Sequence, residues 1–151
     1  MADLVLITGA TGQVGSALVR RLTARGVPVR CLVRDPRRLG PERVRVQIAL
    51  GDLADPPSFR NAMRGVGTVV HLAASARDQP NGSIEELNAI ATWRMVDAAE
   101  RAGVGRFLFF SALGATTHHR TRLRRSKALA ERVVAGEIDP YGAADELVAR
   151  L

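Results

Sequence analysis

Short, continuously apolar runs alternate along this chain with longer segments in which apolar residues return every three or four positions, so strands and helices are predicted to take turns. Leu4–Thr8 is the first run, apolar enough for a strand covered on both faces. Behind it Val14, Ala17, Leu18 and Leu22 recur at helical spacing, Arg20, Arg21 and Arg25 point elsewhere, and Gly26 ends the segment. Further strands are predicted over residues 27–33, 44–50, 68–72 and 107–110. A Pro- and Arg-rich loop spans 34–43, and a short helix over 58–64 follows the turn Asp55-Pro56-Pro57. After a polar loop at 75–83, the stripe Ile84, Leu87, Ala91, Met95, Ala98 and Ala102 predicts a long helix closed by Gly103, and a last helix covers 121–134.

Strand and helix in alternation imply parallel strands joined by right-handed crossovers. The expected fold is therefore α/β, a doubly wound parallel sheet of Rossmann type with five strands in the order 3-2-1-4-5. One domain is expected over residues 1–136, followed by a short tail, 137–151, whose Leu147, Val148 and Leu151 suit a helix. Composition agrees, since a chain 46% hydrophobic but only 4% aromatic must build its core from Ala, Val, Leu and Ile.

The formal net charge is +7, and Lys127 is the only lysine among 22 basic residues. The arginines are spread along the chain, which suits a solvated basic surface better than a nucleic-acid site. The cluster His118-His119-Arg120 with Arg122, Arg124 and Arg125 lacks interleaved aromatics and further convergent metal ligands, so neither nucleic acid nor metal is expected there. A single cysteine, Cys31, excludes an internal disulfide. No basic segment precedes the first apolar run and no stretch is long enough to span a membrane, so a cytoplasmic protein without signal peptide or anchor is expected.

The candidate chemistry lies in Gly9-Ala10-Thr11-Gly12-Gln13-Val14-Gly15, which leaves the first strand and opens the first helix. In that setting Gly9 permits a tight turn, Gly12 lets the backbone approach a pyrophosphate, and Gly15 lets helix and sheet pack closely. A dinucleotide is the implied ligand. The end of the second strand normally chooses its ribose, by an acidic residue for a 2′-hydroxyl or a basic one for a 2′-phosphate. Arg34 stands there with Arg37 and Arg38 behind it, and nine arginines between Arg20 and Arg45 face only Asp35 and Glu42. NADP(H) is favoured over NAD(H), with Asp35 as the feature that keeps NAD open.

Several motifs in order resemble the extended and atypical short-chain dehydrogenase/reductase superfamily across residues 3–134: the glycine turn, Val33-Arg34-Asp35-Pro36, Gly51-Asp52-Leu53, His71-Leu72-Ala73-Ala74, and the stretch from Asn88 through Ala98-Ala99-Glu100-Arg101-Ala102-Gly103-Val104-Gly105-Arg106-Phe107 to Ser111. Ser111-Ala112-Leu113-Gly114-Ala115 with Arg125-Ser126-Lys127-Ala128-Leu129-Ala130-Glu131 is similar to the NAD(P)H-binding branch, which includes relatives of a nucleotide-binding accessory subunit of respiratory complex I and of nitrogen-repressor-type redox sensors. The resemblance implies cofactor contacts from Gly9, Thr11, Gly12, Gln13, Val14, Gly15 and Arg34. It places Asp52 and Leu53 against the adenine, Ala73 and Ala74 along the ribose and pyrophosphate, and Ser111 near the nicotinamide, with Asn88 structural.

Two features depart from the family. Its active reductases carry a tyrosine one helical turn before the lysine, where the amine lowers the phenol's pKa, but Leu123 occupies that position and Tyr141 lies beyond the helix. Lys127 is thus expected first as a cofactor-binding residue, and with Ser111 as a catalytic candidate. The region that builds the family's substrate pocket is missing, which suggests a C-terminally shortened chain whose fifth strand has a free edge. The leading expectation is an NAD(P)(H)-binding relative of short-chain reductases. The alternatives are an NADPH-dependent reductase of a small carbonyl or quinone using Lys127, and a non-catalytic assembly or redox-sensing protein that pairs with itself or a partner through the exposed sheet edge.

Overall fold

The apolar run at the N-terminus forms β1 (Leu4–Thr8), with Leu6, Ile7 and Thr8 buried, and the computed structural model describes residues 3–137. The tail expected at 137–151 therefore lies, apart from Glu137, outside the described residues. After β1 come α1 (Gln13–Ala24), β2 (Val29–Val33), β3 (Gln47–Leu50), α2 (Pro56–Arg60), β4 (Val66–His71), α3 (Ala91–Arg101), β5 (Arg106–Phe109) and α4 (Arg122–Val134). The strands form one sheet in the order β3-β2-β1-β4-β5, every pairing parallel, as the alternation predicts.

The chain divides into two compact units, Met1–Ala73 with Asp97–Phe110 and Ala74–Val96 with Ser111–Leu151. The first holds the sheet. One of its clusters packs Ile7, Ala10, Val19, Val29, Cys31, Val33, Leu39 and Val70, all aliphatic or small, as the scarcity of aromatics requires. The second unit holds a π-helical turn, Glu86–Ile90, leading into α3, and α4, whose buried face includes Ser126, Ala128, Leu129, Ala130 and Val133. Among the described residues no helix is long and apolar enough to cross a membrane.

Element boundaries move where local hydrogen bonds outcompete the apolar pattern. Strand β2 begins at Val29 rather than at residue 27, because the N–H of Val27 donates back to the Leu22 carbonyl at 3.1 Å while that of Gly26 donates to Thr23. The predicted third strand loses residues 44–46, since 3₁₀ turns run through Pro36–Val44 and the Arg45 N–H donates to the Glu42 carbonyl. Helix α2 starts before residue 58 because Pro56 suits a first helical position. The long stripe is interrupted by the π turn, and Ala102, expected on its apolar face, is exposed past the end of α3. On α1 the buried residues are Gly15 and Val19, with Leu18 and Leu22 half-buried, whereas Val14 is 58% exposed and Ala17 also faces solvent.

Candidate functional site

The glycine turn is built by steric necessity. Gly9 has φ +68°, and a Cβ there would lie 2.7 Å from the Ala73 nitrogen and 2.8 Å from the Leu72 carbonyl carbon. The turn after β1 thus lies directly on the backbone that leaves β4. A Cβ on Gly15 would come within 2.0 Å of the Gly9 carbonyl oxygen, so only glycine lets α1 begin this close to β1. Gly12 differs: its Cβ would meet only the Gly9 oxygen, at 3.4 Å, and the residue is exposed.

Gly12 is also the residue preceding α1 and offers no side-chain cap. Its own N–H donates to the Gly9 carbonyl at 3.1 Å, and its carbonyl accepts the Ser16 N–H at 2.9 Å. Main-chain N–H groups of a first helical turn have no intrahelical acceptor, and the helix dipole adds positive potential there. An exposed glycine followed by Gln13 and Val14, both exposed, leaves room for phosphate oxygens to approach that turn. These residues fit the pyrophosphate of a dinucleotide.

The end of β2 presents Arg34 to solvent, and Arg38 is exposed nearby in sequence. Asp35 is engaged locally: its Oδ1 accepts from the N–H and Nε of Arg37, each at 3.0 Å, and its Oδ2 from Nη2 at 3.2 Å. The Arg37 guanidinium holds the Asp35 carboxyl below the usual carboxylate range. After β3, a Cβ on Gly51 would strike Leu32 Cδ1 at 2.7 Å and Ser58 Oγ at 2.9 Å. Asp52 follows, its N–H donating to Ser58 Oγ and its Oδ1 accepting the Ala54 N–H, both at 2.9 Å, so this turn is pinned to the start of α2. Thr11, Asp52, Leu53 and Ala73 are half-buried and Arg34 is exposed, all in the same unit as the glycine turn.

Ala74, Ser111 and Lys127 belong to the second unit. Ala74 and Ser111 are exposed. Lys127 is buried in α4, and burial, opposed in part by the Glu131 carboxylate, pushes its ammonium pKa down to about 8. Leu123, one turn earlier, offers only its carbonyl, which accepts from Ser126 Oγ at 2.9 Å. Asn88, in the π turn, is buried and hydrogen-bonded to Ser75 and Ser126, which suits the structural role implied for it. Arg122 spans two carboxylates, its Nη1 donating to Asp78 at 2.9 Å and its Nε to Glu85 at 2.8 Å.

Two further arrangements, one local and one between distant strands, join residues whose pairing the motifs do not mark. Ser83-Ile84-Glu85-Glu86 is a capping box, the Ser83 N–H donating to the Glu86 carboxylate at 2.8 Å and the Glu86 N–H to Ser83 Oγ at 3.2 Å. Thr8 and His71, two polar residues that each close an apolar strand, share a register position, and Thr8 Oγ1 lies 2.7 Å from His71 Nδ1.

Residues 9–150 match the model of a family described as NAD(P)H-binding. The sterol demethylase protein B of Methylococcus capsulatus is 40% identical over 113 residues, 73% of this chain and 34% of that protein. The photosystem II assembly factor Ycf39 of Cyanophora paradoxa is 29% identical over 131 residues, 86% of this chain and 40% of its own. The crystal structure of a short-chain dehydrogenase/reductase superfamily protein from Agrobacterium tumefaciens with bound NAD is similar at a TM-score of 0.71 and 29% identity, over 93% of this chain and 46% of that one. The chain thus spans less than half the length of each of these relatives.

Proposed function

The chain belongs to the NAD(P)H-binding family of the short-chain dehydrogenase/reductase superfamily, and from that premise we propose that it holds NADP(H) in preference to NAD(H) at the Gly9–Gly15 turn. Gly9, Thr11, Gly12, Gln13, Val14 and Gly15 cradle the pyrophosphate, Asp52 and Leu53 flank the adenine, and Ala73 and Ala74 line the ribose. Ser111 and Lys127 serve the nicotinamide end. When bound, the nicotinamide supplies hydride exchange, and the chain's own residues hold and orient it. The single observation that carries the preference is the Asp35 carboxylate: both its oxygens are taken up by Arg37, while Arg34 and Arg38 are exposed beside it. A carboxylate so engaged is a poor acceptor for ribose hydroxyls, and exposed guanidinium groups suit a 2′-phosphate.

Fluorescence titration with NADPH and NADH tests this reading. NADPH is expected to bind about tenfold more tightly, and Arg34→Ala to narrow the gap. Equal affinities would remove the NADP(H) preference, and no binding of either at sub-millimolar concentration would remove the dinucleotide itself.

The buried amine of Lys127, lowered to about pKa 8, favours a second reading in which the chain reduces a small carbonyl or quinone and Lys127 Nζ handles the proton. Steady NADPH consumption across a substrate panel, lost in Lys127→Ala, would support it; no consumption would count against it. Similarity to an assembly factor supports a third, non-catalytic reading, with the β5 edge pairing with a second copy or another protein. Sedimentation of a strictly monomeric, partner-free protein would argue against that one.

A further inference from the structure

Strand β3 closes one edge of the sheet, and among the described residues no strand pairs with its outer side. The Gly51 N–H donates inward, to the Val33 carbonyl at 3.1 Å, and the main-chain groups of successive residues point to alternate sides of a strand. Those of Ile48 and Leu50 therefore face outward. Their side chains share one face: Ile48 stands beside Cys31 and Leu50 beside Val33, two residues of the cluster that packs with Val19 of α1. That face is covered at Cys31 and Val33 but runs out bare on β3, where Ile48 is 40% and Leu50 63% exposed. Natural sheets blunt such an edge with charge or proline, and Gln47–Leu50 contains neither. On the opposite face Gln47 is already engaged, its Oε1 accepting from Arg30 Nε at 3.0 Å and Nη2 at 2.7 Å.

We infer that β3 is a self-association edge, pairing antiparallel with the β3 of a second copy of this chain so that the two sheets become one. Charge selects both the second copy and its direction. The approach to β3 is basic: Arg43 and Arg45 are exposed, and Arg45 is held only loosely by Glu42, at 3.9 Å. The exit is acidic, since from Gly51 to Phe59 the chain carries Asp52 and the exposed Asp55 and no basic residue. Antiparallel pairing sets each basic approach beside the other copy's acidic exit, whereas parallel pairing sets like against like. With Ile48 on the two-fold axis, Ile48 meets its own counterpart and Leu50 meets Val46 of the second copy. Each apolar side chain of the bare face then gains an apolar neighbour, and the outward main-chain groups gain their hydrogen bonds. One short strand from each copy makes a small interface, so a dimer forming at about 10–100 µM is expected.

Sedimentation of the full chain between about 1 and 300 µM is the test, and a shift from monomer to dimer across that range is expected. Ile48→Lys and Ile48→Glu each set like charges opposite one another on the axis, and each should raise the dissociation constant at least about tenfold. Mixing the two variants should restore association, because opposite charges then face each other, a recovery that mere damage to the strand would not allow. Leu108→Lys, on β5, should dimerise like the parent. The inference is overturned by a parent monomeric throughout, which would leave the edge to a different protein, by a dimer indifferent to Ile48→Lys, or by a mixture no more associated than its components. A dimer lost in Leu108→Lys would overturn it too, in favour of the β5 edge. Circular dichroism shows whether the Ile48 variants fold. Should they not, amide exchange of the parent decides: the N–H groups of Ile48 and Leu50 are expected to exchange more slowly at about 300 µM than at about 1 µM, and exchange independent of concentration refutes the pairing.

Discussion

Asn88 holds Ser75 by both of its main-chain groups: the Ser75 N–H donates to Asn88 Oδ1 and Asn88 Nδ2 donates to the Ser75 carbonyl, each at 2.8 Å. The side-chain amide thus takes the place of a neighbouring strand for a segment that has none, and Nδ2 donates as well to Ser126 Oγ on α4 at 3.2 Å. The Asn88 carbonyl accepts from Thr92 Oγ1 at 2.6 Å, next to the π turn that displaces it from regular helical bonding. Asn88→Leu would take the Asn88 amide away from both main-chain groups of the half-buried Ser75, while Ser126 Oγ keeps its bond to the Leu123 carbonyl. A loss of about 2–4 kcal/mol in urea unfolding is expected, and a loss no larger than that of an exposed substitution would refute this account.

The glycine turn separates folding from binding. With its Cβ forced onto the Gly9 oxygen, Gly15→Ala must displace α1 and should cost about 2 kcal/mol or more, seen as a lower melting temperature. Gly12→Ala meets only a 3.4 Å contact, so it should fold like the parent yet bind NADPH at least about tenfold more weakly, because the methyl group stands where the phosphates approach. Equal behaviour of the two variants in both assays would contradict the division.

Arg37 engages both carboxylate oxygens of Asp35, the feature on which the proposed NADP(H) preference rests. Its replacement in Arg37→Ala frees both carboxylate oxygens, and the ratio of NADH to NADPH affinity is expected to rise several-fold in parallel titrations. A ratio unchanged from the parent would show that the ion pair plays no part in cofactor choice.

Lys127 makes stability depend on pH with a definite sign. Its folded pKa, about 8, lies below the ordinary 10.5, so between those values the unfolded chain binds more protons than the folded one. The contribution of Lys127 to stability should therefore rise as pH climbs through that window, by roughly 3 kcal/mol in all, while the buried Cys31 thiol, whose pKa is raised from 9.0, contributes the opposite slope in the upper part of it. Lys127→Met should be more stable than the parent at neutral pH and should lose the rising contribution. Urea midpoints of the parent and of Lys127→Met collected across the window would test it, and an advantage of Lys127→Met that fails to shrink as pH rises would contradict the assignment.

Cys31 is fully buried in β2, and burial pushes its thiol pKa up to about 12. A chromogenic disulfide reagent at pH 8 is expected to leave the native protein unmodified and to titrate one thiol after unfolding, since the thiolate is the reactive form. Rapid labelling of the native chain would place the residue elsewhere than in the core.

Much of the fold was legible in the residues because the relevant physics is local. The apolar period of Leu4–Thr8 and of the segment from Ile84 onward marks faces to be covered, and the glycines at 9, 12 and 15 mark where the main chain must turn, be approached or be packed upon. Parallel pairing followed from the alternation, the strand order from the Rossmann pattern that the glycine turn marks, and the same turn disclosed its ligand class. Boundaries were less legible wherever a capping bond took residues from a strand, as at Val27 and Arg45.

What only the tertiary structure decided were pairings between residues far apart in the chain. Thr8 meets His71 across 63 positions, and Asn88 meets Ser126 across 38. Each of these residues, taken alone, is a polar side chain with several possible partners. Its partner exists only after strands have come into register or a helix has been interrupted, because a hydrogen bond a few ångströms long depends on the positions of both ends, whereas an apolar face or a glycine turn depends on its own few neighbours.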